Sequence, residues 1–187
     1  MPIESITEDQ FGRSIPEDPY GFLMYTMQQL ALRRDNITNF RLFGIFGPYE
    51  NYSRRFISNA ICKALCGYPI TIRQNAVFDY LYTDDLCKMV EYYIESSMLY
   101  RAYNAVSGIR YELTSLAEIV NSILGTDVPV LVAKLGCNSE YTASNELIHE
   151  EVKNITTTSI ENRIEKLTCF YKRAIDTLDR ESLLYNK

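Results

Sequence analysis

The stretch EDPYGFLMYTMQQLALRR, residues 17–34, has the makings of an active-site helix. An acid and an Asp-Pro turn precede Tyr20, which opens the helix. A tyrosine can serve as an acid/base, but a free phenol has a pKa of ~10, too high for a base at neutral pH. A cation at i+4 lies on the same helix face and favours the phenolate. Lowering the pKa by about 3 units takes about 4 kcal/mol. Position 24 holds methionine, which has no charge to offer. Residues 20–32 contain no ionisable side chain besides Tyr20 and Tyr25, so Arg33 is the first cation along the helix. Without a cation from elsewhere in the fold, Tyr20 is expected to stay protonated.

Other residues of chemical type are fewer. Asp84 and Asp85 form a carboxylate pair, but they fall in the first turn of an expected helix, where the dipole favours anions. Asp79 reads as structural. The five cysteines, Cys62, Cys66, Cys87, Cys137 and Cys169, are odd in number and scattered, which predicts reduced, buried thiols of a cytosolic protein. With His149 as the only histidine, no metal site is expected. His149 itself lies in a polar helical stretch and is expected to be solvated.

The whole chain sets bounds on what these residues can serve. Its 187 residues suit one domain, or one with an appendage. At 47% hydrophobic and 23% charged it can bury a core. A formal net charge of −5 argues against a nucleic-acid partner. No apolar run approaches the ~20 residues that span a bilayer. MPIESITEDQ has neither a basic nor an apolar leader region, so a cytoplasmic location is expected.

The elements that must position the candidates alternate between strand and helix. Residues 1–19, punctuated by Pro2, Pro16 and Pro19, read as loop. Asp18 before Pro19 predicts an N-cap with proline at the first position, for a helix over Tyr20–Arg34. Asn39–Phe46 reads as a strand ended by Gly47-Pro48, and Ser53–Leu65 as a helix closed by Cys66-Gly67. Strands are predicted at Ile70–Ile72, Val77–Tyr82, Ala102–Val106 and Val128–Ala133. Thr83 is expected to cap a helix from Asp84 to about Ser96. Ser115 with Glu118, and Thr158 with Glu161, have capping-box spacing. The first box would open a helix ending at Gly125; the tail reads as helices over Ser144–Val152 and from Ser159 to about Arg180. Strand and helix in alternation argue for the α/β class. No GxGxxG or GxxGxxG occurs, and the eight glycines are scattered singly.

Five stretches in order carry a resemblance. PEDPYGFLMYTMQQLA resembles the Tyr-xxx-Lys helix of the extended short-chain dehydrogenases, the NAD(P)-dependent nucleotide-sugar epimerases and dehydratases. RLFGIFGP (41–48) is similar to their next strand, often Arg-Leu-Phe-Asn-Val-Tyr-Gly-Pro. FDYLYTDDLCKMV (78–90) resembles their Arg-Asp-Phe-Ile-Tyr-Val-Asp-Asp segment, and YNAVSG (103–108) with TSLAEIV their Tyr-Asn-Val-Gly-Ser-Gly and following helix. YTASNELIHEE fits the late part of the family. The match starts partway in: the glycine-rich turn, the ribose-binding acid and the Ser/Thr before the catalytic tyrosine have no counterpart, and Thr7 is no substitute.

The resemblance implies the C-terminal part of such a fold, with a few strands, surrounding helices and an incomplete Rossmann sheet. Residues 1–50 would be the remnant of the Rossmann part, and 51–187 mainly the substrate-binding region. Tyr20 would occupy the catalytic tyrosine's position, with Met24 in place of the lysine. Phe43 and Ile45 would lie on the nicotinamide side. Gly44, Ile72, Arg73 and Phe78 would lie on the substrate side, where Gly44 replaces an asparagine and Phe78 an arginine that commonly meets the diphosphate. The family uses NAD or NADP, and none is expected to bind this chain alone. Three readings follow: a nucleotide-sugar-binding half inactive by itself, half of a split enzyme completed by a Rossmann partner, or a non-catalytic binding module. The helix 20–34, free of charge as far as residue 32, is apolar over much of its circumference. It is expected to be exposed unless self-association or a protein partner covers it.

Overall fold

The computed structural model describes residues 3–96, 98–152 and 158–184. The chain begins with strand β1 (Ile3–Ile6) and a 3₁₀ turn at Glu8–Gln10, in a stretch whose prolines and polar residues predict only loop. Helix α1 (Pro19–Ala31) follows the expected signals: Pro19 takes the first position, and the Asp18 carboxylate accepts from the Gly21 N–H at 2.8 Å. The strand expected over 39–46 divides at Phe43 into β2 (Asn39–Leu42) and β3 (Gly44–Phe46). Next come α2 (Phe56–Leu65), β4 (Ile70–Asn75), β5 (Val77–Phe78), β6 (Tyr80–Tyr82) and α3 (Thr83–Glu95). The rest comprises β7 (Ala102–Ala105), β8 (Tyr111–Glu112), α4 (Leu113–Leu124), β9 (Val130–Cys137), β10 (Tyr141–Ala143), α5 (Glu146–Glu151), α6 (Ile160–Arg173) and α7 (Arg180–Leu184).

Parallel pairing dominates. β2 pairs with β7, β3 with β6, and β4 with β9, all parallel. The segment 39–46 thus changes partner at Phe43. A fourth sheet has the order β1-β10-β5-β8, with only the β5–β8 pair antiparallel. β1 was invisible in the sequence because its partner lies more than 130 residues away (Ile6 opposite Ala143).

Beyond the later starts of α2 at Phe56 and α5 at Glu146, three more helix starts differ from the sequence reading. Tyr82, with no side-chain cap, precedes α3, so Thr83 lies inside the helix. α4 starts two residues before Ser115. There the Leu113 N–H bonds the Ala76 carbonyl at 3.1 Å, and Asn75 Oδ1 accepts from the Thr114 N–H at 3.3 Å. A neighbouring strand therefore satisfies the helix end that the capping box would have served. At α6, Thr158 Oγ1 accepts from Arg163 at 2.6 Å, and Ser159 takes the cap, accepting from the Asn162 N–H at 3.3 Å. α4 ends as expected at Gly125, which adopts the left-handed conformation.

Two apolar clusters form the core. The larger packs α2, α4 and α6 together with β4, around Ile61, Leu116, Ile164 and Leu167, all without exposure. The smaller joins α3, β7 and α5 to β2 and β3, around Met89, Tyr93, Tyr103 and Ile148. Among the described residues, no helix is long and apolar enough to cross a membrane. Of the cysteines, Cys62 is buried, but Cys87, Cys137 and Cys169 are exposed, against the expectation of buried thiols.

Candidate functional site

Tyr20, at the start of α1, lines a cavity of about 610 Å³ with Phe43, Gly44, Ile45 and Phe78. Five residues picked out from separate stretches therefore meet in one place. Met24 does not line that cavity. Ile72 and Arg73 line an adjoining cavity of about 460 Å³, with Lys63, Thr71, Asn59 and Gln74. Arg54, Phe56 and Leu113 belong to both walls, so the two form neighbouring compartments of one cleft.

The first compartment is aromatic. Tyr141 packs against Phe43 and Phe78, with ring centroids 4.9 and 5.9 Å apart, and Phe78 packs against Tyr80 at 5.7 Å. Burial pushes the Tyr80 and Tyr141 hydroxyls above the ordinary phenol range. The second compartment is basic. Lys63, which donates to Thr71 Oγ1 at 2.5 Å, is held below the usual lysine range by burial. Arg54 and Arg73 are exposed at the surface of this compartment.

Sequence reasoning missed Glu50, Arg54, Arg55, Tyr80 and Tyr141. The two arginines were placed inside a helix over 53–65. That helix begins only at Phe56, which leaves both in the preceding loop and on the cavity wall. Tyr141 arrives on β10, a three-residue strand without a local signature.

Gly44 has a structural reason. It lies opposite Tyr80 in the β3–β6 pair, and a Cβ there would collide with the backbone carbonyl of Asp79. The asparagine of the family pattern has no room in this backbone. Asp79, expected to be structural, is buried and accepts from the Ser107 N–H and Oγ at 2.8 Å and the Gly108 N–H at 2.7 Å. Burial raises its pKa, and these donors counter the rise. Asp85 is buried against Arg163, which donates to it at 2.5 Å, while Asp84 pairs with Lys166 at 2.5 Å. The two carboxylates tie α3 to α6 and lie outside both cavities. His149 is exposed on α5. Among the described residues, no three His, Cys, Asp or Glu side chains are grouped to hold a metal ion.

A dinucleotide does not fit the donors present. Its pyrophosphate needs a glycine-rich turn at a helix N-terminus, which the sequence lacks. Met24 gives the nicotinamide ribose no cation. The side chains of Phe43 and Ile45 are apolar.

An α/β fold with parallel pairs, and a tyrosine-headed helix beside a cleft, define the C-terminal side of an extended short-chain dehydrogenase fold. Residues 3–105 match the NAD dependent epimerase/dehydratase family, and the chain belongs to it. No curated protein matches the chain in sequence. Among solved structures, it is similar to a dTDP-glucose 4,6-dehydratase from Bacillus anthracis in complex with NAD (TM-score 0.73, 18% identity, 86% of this chain and 54% of that one). It is similar also to a UDP-glucuronic acid 4-epimerase from Bacillus cereus in complex with UDP-glucuronic acid and NAD (0.72, 18%, 90% and 60%). A third is RMD from Pseudomonas aeruginosa complexed with NADPH (0.74, 15%, 91% and 62%). The chain spans 54–62% of the length of these three structures.

Proposed function

We propose that this chain is the nucleotide-sugar-binding portion of an NAD(P)-dependent epimerase/dehydratase and does not transfer hydride by itself. The observation that carries this reading is the two-compartment cleft. Aromatic rings around Tyr20 and Phe78 suit the C–H faces of a sugar, while Arg54, Lys63 and Arg73 suit a diphosphate and its nucleoside. Arg73 and Arg54 then supply the charge that Phe78 does not. Residues 1–50 act as the remnant of the cofactor part and 51–187 mainly as the substrate region. NAD or NADP is not bound by this chain alone, and a cytoplasmic setting goes with a nucleotide-sugar ligand.

Calorimetric titration with UDP-, GDP- and dTDP-sugars, followed by addition of NAD and NADP with the nicotinamide absorbance recorded, tests this. Binding of at least one nucleotide sugar without reduction of the cofactor is the expected result. Failure of all three to bind would overturn the proposal, and turnover by the chain alone would overturn its inactive half.

A second reading is favoured by α1. Its Leu23, Met24, Met27 and Leu30 are 42–60% exposed. That face suits a second copy or a Rossmann-bearing partner that would complete a split enzyme. Light scattering with co-purification separates these cases, and a monodisperse monomer with no companion would remove this reading. A purely non-catalytic binding module differs from the first reading in having no cofactor-bearing partner at all.

A further inference from the structure

We propose that Glu50 is the specificity-determining residue of the cleft: its carboxylate accepts hydrogen bonds from two adjacent hydroxyl groups on the sugar ring of a bound nucleotide sugar. This deepens the reading of the cleft as a nucleotide-sugar site and depends on it.

The composition of the wall carries the argument. Aromatic rings and aliphatic side chains make up most of the first compartment, and they stack on a sugar's C–H faces without satisfying its hydroxyl protons. Glu50 holds the only carboxyl among the described lining residues. An ionised carboxylate is acceptor-only, with two oxygens and about four lone-pair sites. Two parallel O–H donors from a vicinal diol match that geometry, and charge-assisted bonds of this kind are roughly twice as strong as neutral ones.

The backbone holds Glu50 in place at a local cost. Gly47, at the end of β3, packs against Thr83 so closely that a Cβ would collide with its side chain. Tyr49 then adopts φ +67, strained for a residue with a side chain, and is 90% exposed, with its ring edge-on to Phe170 at 5.0 Å. Strain of this kind persists where surrounding structure over-determines it, and it clusters at functional sites. The turn directs Glu50 inward, where Ser58 Oγ of α2 donates to Oε1 at 2.5 Å. Burial raises the pKa of this carboxyl, and the Ser58 hydroxyl, the Gly47 N–H and the Arg55 charge each counter the rise. A half-buried carboxyl on the wall of the sugar compartment, held by Ser58 and a strained turn with lone pairs to spare, is best accounted for by a ligand.

The test titrates the 187-residue chain and its Glu50→Gln variant. The probes are UDP-glucose, GDP-mannose and dTDP-glucose, with the free diphosphates UDP, GDP and dTDP. Glutamine keeps the shape and the Ser58 contact but loses the charge. For the nucleotide sugar that binds the wild type, the variant should lose roughly ten- to a hundredfold in affinity. Its affinity for the matching free diphosphate should change by less than about twofold. The wild type's preference for nucleotide sugar over diphosphate should shrink as pH falls through the Glu50 titration. That arm needs no folded variant. Equal loss on sugar and diphosphate, no loss on either, or a pH-independent preference overturns the role of Glu50 and leaves the cleft assignment standing. A wild type that binds none of the six probes overturns the cleft assignment, and this inference with it.

Discussion

Helices α1 and α2 are both apolar in sequence, yet they end in opposite environments. Seven of the ten residues of α2 are buried, against Gln28 alone among the thirteen of α1. α2 packs with α4 and α6 into a closed core. α1 carries the tyrosine of the family pattern on a helix held by little of this chain. The comparison teaches that an apolar sequence specifies burial but not by what. Among the described residues, the lobe of α2, α4 and α6 contains its own partners, and the α1 side does not.

The largest expected effect breaks the lobe built on α2, α4 and α6. Arg163→Ala would leave the buried Asp85 carboxylate with only the longer Lys88 contact, at 3.4 Å and exposed, for a cation, a loss of about 3–5 kcal/mol in urea unfolding. A loss below about 1 kcal/mol would mean that the lobe does not depend on this tie. Leu116→Ala, at a fully buried site in α4, should cost about 2–5 kcal/mol by the same measurement. Gly44→Ala drives a methyl toward the Asp79 carbonyl at the β3–β6 pair. A cost of about 1–3 kcal/mol is expected, together with weaker nucleotide-sugar binding, because Phe43 and Ile45 flank the strained position.

On the other side of the comparison, Met27→Ala or Leu30→Ala in α1, at 57% and 60% exposure, should change stability by no more than about 0.5 kcal/mol. A cost of several times that, growing with protein concentration, would show the face to be buried between copies. A further effect is a pH dependence. Burial holds Glu50 above its ordinary value of 4.5, so the folded chain keeps this proton to higher pH than the unfolded chain. Stability therefore falls as pH rises from the unfolded value through the folded one. Glu50→Gln removes that fall. Thermal unfolding should show the variant gaining on the wild type between about pH 4 and pH 7, by no more than ~1 kcal/mol.

Much of the fold was legible because its signals were local. Helical spacing gave α2, Gly125 gave the end of α4, and Asp18-Pro19 gave the start of α1. Strands β1 and β10 were not legible, since they exist only through each other and through β5. Capping boxes misled where tertiary contacts took over the cap, as Asn75 did at α4 and Arg163 at Thr158. At the site, the family pattern located Tyr20, Phe43, Gly44, Ile45 and Phe78, and the structure assembled them. Glu50, Arg54 and Arg55 were hidden because their roles follow from where a loop ends, three residues later than periodicity suggests.

Native-state hydrogen exchange, read by amide position, measures the contrast between the two helices directly. Amides in the buried middle of α2, at Ile61 and Cys62, should exchange at least about 100-fold more slowly than those of α1 at Met24 and Leu30. Equal protection in the two helices would contradict the account, because it would mean that the α1 side is already held as firmly as the core.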